Sequence, residues 1–272
     1  MTKSSAWLAG AVLMAACGGS TSGGSDAGST GGASPAIAIT TTGSLNLGNS
    51  ADRAAPIAFT ISNFTLKAPG ACAGAAACGH VHVLIDGAAC TPVGAPYNNA
   101  AVSSPASAKF GLCPTATGAH TVELQLHDDA HHPINDASGN VVKADATVTT
   151  VENAAEPKVT ITDPTGAAPI ALDASKKYAV KFTASGFTLM APGTCGTTAA
   201  CGHVHLKIDG DACSGGGAYN AAGVSPLSAD FSKCNTATGA HAVTLELHND
   251  DHSAVKDEYG QQIASTVAVE AQ

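Results

Sequence analysis

The chain has 272 residues, with 12 Lys and Arg against 21 Asp and Glu, a formal net charge of −9. An acidic balance argues against nucleic acid and against polybasic binding to a membrane surface. Aromatic residues make up 4% and the single tryptophan is Trp7, so the cores must be built from Val, Ile, Leu and a few Phe, and the length suits two domains.

The first element is an export signal over residues 1–17. MTKSS supplies a short basic region with Lys3, and AWLAGAVLMAA is too short to span a membrane as a mature helix. LMAAC resembles a bacterial lipobox, although leucine there more often lies one place nearer the cysteine. That resemblance implies that Cys17 is lipidated and becomes the new N-terminus. The alternative is an ordinary secretory signal cut near Ala16 or Cys17. Loss of Lys3 leaves 11 basic against 21 acidic residues, a mature charge of −10. Residues 18–34, GGSTSGGSDAGSTGGAS, form a Gly/Ser/Thr-rich tether that cannot bury a core. No other stretch is long and apolar enough to be a spanning helix. The expectation is an exported lipoprotein of the periplasm or cell surface. It would be monomeric, touch the membrane only through its anchor, bind no nucleic acid, and have an envelope protein or a metal ion as partner.

The rest of the chain is a duplication. Residues 64–90 align without a gap with 187–213, 19 of 27 positions being identical, and 113–131 align with 234–252, 13 of 19 being identical. A period above a hundred residues makes this a repeated domain rather than a solenoid unit. The expected domains are 35–151 and 157–271, joined by the linker 152–156. Each opens with an alternating strand, AIAIT (36–40) or KVTIT (158–162). A longer strand follows, IAFTISNFTL (57–66) or VKFTASGFTL (180–189). Then come a small cysteine loop and the strand CGHVHVLID (78–86) or CGHVHLKID (201–209), ended by turn chemistry at the following glycine. A looser stretch carries Tyr97-Asn98 or Tyr219-Asn220. Short strands ending at Phe110 and Phe231 lead to GAHTVELQLHDD (118–129) and GAHAVTLELHND (239–250). A last strand near 146–151 or 265–270 closes the set. Some seven short strands per repeat and no convincing helical period predict an all-β fold of two tandem immunoglobulin-like β-sandwiches.

Apart from Cys17, eight cysteines remain, four in each repeat: Cys72, Cys78, Cys90, Cys113 and Cys195, Cys201, Cys213, Cys234. An even number in an exported chain reads as disulfides. The favoured pairing is Cys72–Cys78 with Cys90–Cys113, and Cys195–Cys201 with Cys213–Cys234. Zinc thiolates are the alternative, disfavoured because thiols do not persist in an oxidising compartment.

All eleven histidines lie in the repeats, and ten of them match in pairs across the duplication: 80/203, 82/205, 120/241, 127/248 and 131/252. Side chains alternate along a strand. Val81, Val83 and Ile85 therefore face the core, while His80 and His82 leave the other side as surface histidines. By the same parity His127 faces outward, and His131 follows across the acidic turn HDDAH. His80, His82, His127 and His131, with His203, His205, His248 and His252, are the candidate ligands for copper or zinc, both suited to neutral imidazole. Asp129 and Asp250 are candidate further ligands or supporting acceptors. His120 and His241 have core parity and read as structural, bonded to a backbone carbonyl. The bland alternative is that all of these are polar or structural histidines on a wet face. G-x-S-x-G and H-E-x-x-H are absent and nothing marks a general base, so no enzyme is expected.

These motifs resemble a family of uncharacterised His-rich bacterial periplasmic domains with the pattern GHxHxxID followed by GxHTxxxxLxDxxHxP. The first repeat matches throughout, at Gly79, His80, His82, Ile85, Asp86, Gly118, His120, Thr121, Leu126, Asp128, His131 and Pro133. The second departs at Ala242, Asn249 and Ala254, where the pattern has Thr, Asp and Pro. The resemblance implies an immunoglobulin-like fold and an exported location, and it supplies no activity. The functional expectation is an exported lipoprotein whose duplicated domain binds copper or zinc at its histidines. The alternative is a structural or adhesive surface protein without metal. For the anchor, Cys17→Ala should release the protein from the membrane fraction in a fractionation blot; unchanged membrane association rejects lipidation.

Overall fold

The computed structural model describes residues 33–213 and 220–272. The export signal, Cys17, all but the end of the tether, and Tyr219 lie outside them. In the first repeat the strands are β1 (Ala36–Ile39), β2 (Gly43–Leu47), β3 (Ala54–Ile57), β4 (Phe59–Ser62), β5 (Thr65–Leu66), β6 (Cys78–Ile85), β7 (Asn99–Ala101), β8 (Ala106–Lys109), β9 (Gly118–His127) and β10 (Lys143–Glu152). The second has β11 (Lys158–Asp163), β12 (Lys177–Ser185), β13 (Thr188–Leu189), β14 (Cys201–Ile208), β15 (Asn220–Ala222), β16 (Leu227–Asp230), β17 (Gly239–Asn249) and β18 (Ala264–Ala271). Among the described residues the only helical pieces are single 3-10 turns, Phe110–Leu112 and Phe231–Lys233.

Each repeat is a two-sheet sandwich of immunoglobulin-like topology. In the first, the opening strand divides between the sheets: β1 pairs antiparallel with β4, while β2 pairs parallel with β10. β3, separated from β4 by Ala58 alone, pairs antiparallel with β8 as a second two-stranded ladder on the same side, where the second repeat has one strand pairing with both neighbours. The larger sheet runs β2-β10-β9-β6-β5, with β7 also on β6. The second repeat has the matching sheets β11-β12-β16 and β13-β14-β17-β18, with a parallel bridge from Ile170 to Ala271 where β2 would lie. Split opening strands and this pairing order are the arrangement of immunoglobulin-type sandwiches.

Alternation fills the cores as the sequence predicts. Val81, Val83, Ile85, Val122, Leu124 and Leu126 are fully buried and pack with Leu47, Ile57 and Phe110. The second core is the same set transposed: Val204, Leu206, Ile208, Val243, Leu245 and Leu247 around Phe231.

The second strand of each repeat is not one continuous element, contrary to expectation. Asn63 at φ 54° and Gly186 at φ 64° turn the chain out of the smaller sheet. The next two residues cross to the larger sheet, where β5 and β13 pair parallel with β6 and β14. Left-handed backbone is the cheap way to make such a corner, and Asn and Gly tolerate it best.

All four disulfides form with the expected pairing, Cys72–Cys78, Cys90–Cys113, Cys195–Cys201 and Cys213–Cys234. Stable disulfides belong to an oxidising compartment, so the protein is exported. No helix among the described residues is long and apolar enough to cross a membrane. The strand ladders stay within each sandwich, but an antiparallel bridge from Ser50 to Ile263 crosses between them and packing joins residues 34–272 into one compact unit. Asn49 Nδ2 donates to the Pro157 carbonyl at 3.1 Å, and Tyr259 Oη donates to the Asn46 carbonyl at 2.9 Å.

The two staples of a repeat should differ in worth. Cys90 and Cys113 are separated by 23 positions and Cys72 and Cys78 by 6. Loop-closure entropy then assigns about 3 kcal/mol to the longer and about 2 kcal/mol to the shorter. Guanidinium unfolding of Cys90→Ala/Cys113→Ala should show the larger loss of midpoint, compared with Cys72→Ala/Cys78→Ala.

Candidate metal centre

β6 and β9 are neighbours, with His80 directly opposite His127 and His82 opposite Gln125. The copy repeats this, His203 opposite His248 and His205 opposite Glu246. Gly79, just before the first histidine, makes the close approach possible: a Cβ there would overlap the His127 carbonyl oxygen, and one on Gly202 would overlap that of His248.

The turn after β9 then folds back over the outer face of the sheet. Asp128 organises it, its Oδ1 accepting from the N–H groups of Ala130 and His132, both at 2.8 Å. His131 sits in the left-handed region at φ 66°, and His252 likewise at φ 65°. Such a conformation costs an L-residue about 1–2 kcal/mol, and it recurs in both copies where it turns one imidazole inward.

Three ring nitrogens meet there. His80 Nε2 is 2.9 Å from His82 Nε2, and each is 3.1 Å from His131 Nδ1. In the second repeat His203 Nε2 and His205 Nε2 are 3.0 Å apart, and His252 Nδ1 is 3.1 and 3.2 Å from them. A triangle with sides near 3 Å has its corners about 1.8 Å from its centre. An ion with bonds of about 2.0–2.1 Å to imidazole would therefore lie about 1 Å off its plane, leaving a further coordination position. In the first repeat His82 and His131 border a cavity of about 480 Å³, lined also by Tyr97, Leu84 and Gln125. The Tyr97 ring lies 3.8 Å from that of His82 between centroids.

The fourth predicted ligand of each set is near but turned away. His127 stacks on His82 at 3.7 Å between centroids, and both its nitrogens are engaged, Nδ1 donating to the His131 carbonyl at 3.0 Å and Nε2 meeting Gln125 Oε1 at 3.1 Å. His248 stacks on His205 at 3.7 Å, with Nδ1 to the His252 carbonyl at 2.9 Å and Nε2 to Glu246 Oε2 at 3.3 Å. These residues brace the loop that carries the third nitrogen. Asp129 and Asp250 do not approach the triangle either; they accept from the backbone N–H groups of Cys72 and Gly193 and so tie the cysteine loop to the turn.

Two expectations are corrected. The His-x-His pairs are not surface residues: His80 and His203 are fully buried, and His82 and His205 nearly so, while His131 and His252, the third corner of each triangle, are exposed. Parity placed the pairs off the core face, but the returning turn covers that face. His120 and His241 are buried on the core side as expected, yet their partner is a carboxylate rather than a backbone carbonyl. His120 Nδ1 donates to Asp86 Oδ2 at 2.7 Å and His241 Nδ1 to Asp209 Oδ2 at 2.7 Å. The aspartate of the ID-G turn carried that signal, since its other oxygen accepts from the Thr121 N–H in one copy and from the Ala242 N–H in the other. Burial pushes the Asp86 carboxyl up, but these hydrogen bonds outweigh it and hold it below its usual range.

Burial, then the fields of neighbouring imidazoles, pushes His82 down to about 3 and His205 down to about 4. His80 and His203 shift the same way, again chiefly through burial. The buried pairs thus stay neutral, the form in which imidazole ligates.

No family model matches the chain, and no curated protein matches it. Its structural neighbours are β-sandwich proteins. The fibronectin(III)-like modules of Clostridium thermocellum CbhA are 12% identical, with 87% of this chain and 94% of that chain covered, at a TM-score of 0.26. A 1.5-MDa bacterial ice-binding adhesin is 13% identical over 88% of this chain and 65% of that one, at a TM-score of 0.23. A chimeric titin Z1Z2 is 13% identical over 88% and 98%, at a TM-score of 0.24. Likeness at this level concerns sandwich architecture and says nothing of activity.

The lowered pKa values have a consequence for the metal-free protein. The unfolded chain takes up protons at His80, His82, His203 and His205 near pH 6.5, whereas the folded chain resists until well below it. The unfolded state then binds more protons, so this contribution to stability is present at neutral pH and is lost as pH falls from about 6.5 towards 4. Guanidinium midpoints measured in chelator across that range should fall, and the fall should be shallower in His82→Gln/His205→Gln.

Proposed function

We propose that this exported tandem β-sandwich protein binds one transition-metal ion in each repeat, through His80, His82 and His131 in the first and His203, His205 and His252 in the second. The observation that carries the reading is the convergence of three imidazole nitrogens to 2.9–3.1 Å in the first repeat, repeated at 3.0–3.2 Å in the second. An all-imidazole set suits copper and zinc, and divalent affinity order favours copper. His127 and His248 act as braces, holding the third ligand through its backbone carbonyl. The anchor at Cys17 and kinship with the His-rich periplasmic domains belong to this proposal as well. A lipid-tethered pair of such domains would hold two metal ions at the cell envelope.

A structural or adhesive surface role is the second reading, and it is compatible with the first. It is favoured by the architecture: two disulfide-stapled sandwiches fixed to one another by bonds such as Asn49 to Pro157 and Tyr259 to Asn46 make a spacer. Modules of the same broad class occur in proteins described as a bacterial ice-binding adhesin and a large adhesion protein. In this reading the histidines only close the loops over the sheet.

Metal analysis of tag-free protein separates the two. Two copper or zinc ions should bind per chain at neutral pH. His131→Asn and His252→Asn should each remove one and the double variant both; asparagine suits a left-handed position, so the turn should survive. Titration calorimetry with no copper or zinc binding, or with two ions still bound by the double variant, overturns the metal reading and leaves the structural one.

A further inference from the structure

The seam between the sandwiches holds buried oxygen atoms that neither repeat uses. Asp257 is 6% exposed; its Oδ1 accepts from the N–H groups of Tyr259 and Gln261, while its Oδ2 is buried without a hydrogen-bond partner among the described residues. That oxygen presses on the backbone of Gly48 from the other sandwich, where a Cβ would strike it. Asn49, the next residue, is 4% exposed. Its Nδ2 donates to the carbonyls of Asn153 in the linker and Pro157 just after it, which fixes the amide orientation and turns Oδ1 to the other side, buried and unpartnered among the described residues. Glu156 meets the same dipeptide: its carboxylate faces the Asn49 N–H and accepts from the Glu258 N–H, while Oε2 is buried with no hydrogen-bond partner among the described residues.

Two carboxylates thus lie against Gly48–Asn49, and among the described residues neither has an ion pair. Two cations of the seam bond Glu152, Arg53 through Nη2 and Lys158 through Nζ, while Arg53 Nε is buried without a hydrogen-bond partner among the described residues. Glu258 is exposed and takes the Asn153 side-chain amide. Glu152 and Glu258 are exposed to water, whereas Glu156 Oε2 and Asp257 Oδ2 are buried carboxylate oxygens without a hydrogen-bond partner among the described residues. Buried like charges need a counter-charge in place. Carboxylate and amide oxygens are the donors that calcium takes and that copper and zinc do not favour.

We propose that the seam is a calcium site, in which Glu156 Oε2, Asp257 Oδ2 and Asn49 Oδ1 ligate one Ca²⁺ that locks the two sandwiches together. The donors come from both sandwiches and the linker, so the ion forms its full shell only when they are docked. Water completes the coordination, since three protein oxygens fall short of the six to eight that calcium takes. The site is independent of the histidine clusters.

The test is calorimetric titration of CaCl₂ into chelator-stripped, full-length protein, with thermal unfolding in parallel and NaCl of equal ionic strength as the control. One ion per chain should bind, with a Kd of about 10⁻⁴–10⁻³ M as in other extracellular modules, and calcium should raise Tm beyond the NaCl control. Asp257→Asn keeps the acceptor for Tyr259 and Gln261, and it should weaken binding at least tenfold and abolish the shift. Glu156→Gln should do the same, while His131→Asn/His252→Asn should leave the calcium response intact. Absence of binding and of a Tm shift at 10-fold the upper Kd overturns the proposal, as does an unchanged response in both carboxylate variants.

Discussion

The pairing of β6 with β9 is the constraint on which both the core and the candidate site depend. It places Val81 against Leu126 and Val83 against Leu124 on one face, and His80 opposite His127 on the other. A slip of one residue would send the valines to the loops and the imidazoles into the core, exchanging apolar burial for buried polar groups. Gly79 and Gly202 guard that register, because any side chain there would collide with the facing carbonyl. The same pairing lets the turn after β9 reach back over β6, so one ladder of backbone hydrogen bonds builds the hydrophobic floor and aims the imidazoles.

The outer face of the larger sheet is closed by short segments rather than by a third layer. The acidic turn, the cysteine loop and Tyr97 each contribute. The cysteine loop is held to the turn by Asp129 in one repeat and by Asp250 in the other. Strain at His131 and His252 is tolerated because their carbonyls are gripped by His127 and His248 and their N–H groups by residues 128 and 249. A histidine held off its preferred backbone by several independent bonds is a preorganised group, and preorganisation is what a ligand site requires.

The repeats have kept the triangle while their surroundings have changed. Gln125 beneath His127 is matched by Glu246 beneath His248, and Leu84 beside the first site is matched by Lys207, which pairs with Glu246 at 3.1 Å. The neutral side chains Leu84 and Gln125 in one copy correspond to the ion pair Lys207–Glu246 in the other, with no difference in the spacing of the three nitrogens beyond about 0.1 Å. The disulfide-linked core thus carries two versions of one site that differ in local polarity.

Much of this was legible in the residues. Period-two alternation separated Val81, Val83 and Ile85 from His80 and His82, because a pleated strand leaves no other choice. Cysteine spacing in an exported chain yielded the four pairings, since the short separations close small loops and the longer ones span the excursion before the 3-10 turn. Matched histidines across the duplication pointed to the right strands. Parity says nothing of what lies above a face, so burial of the imidazoles was decided by the returning turn. Which of His127 and His131 completes the triangle depended on a left-handed φ that no spacing rule encodes. The corners at Asn63 and Gly186, the hold of Asp86 on His120, and the meeting of Asn49, Glu156 and Asp257 join residues distant in sequence. Only the packing of one sheet on another, and of one sandwich on the next, brings them together.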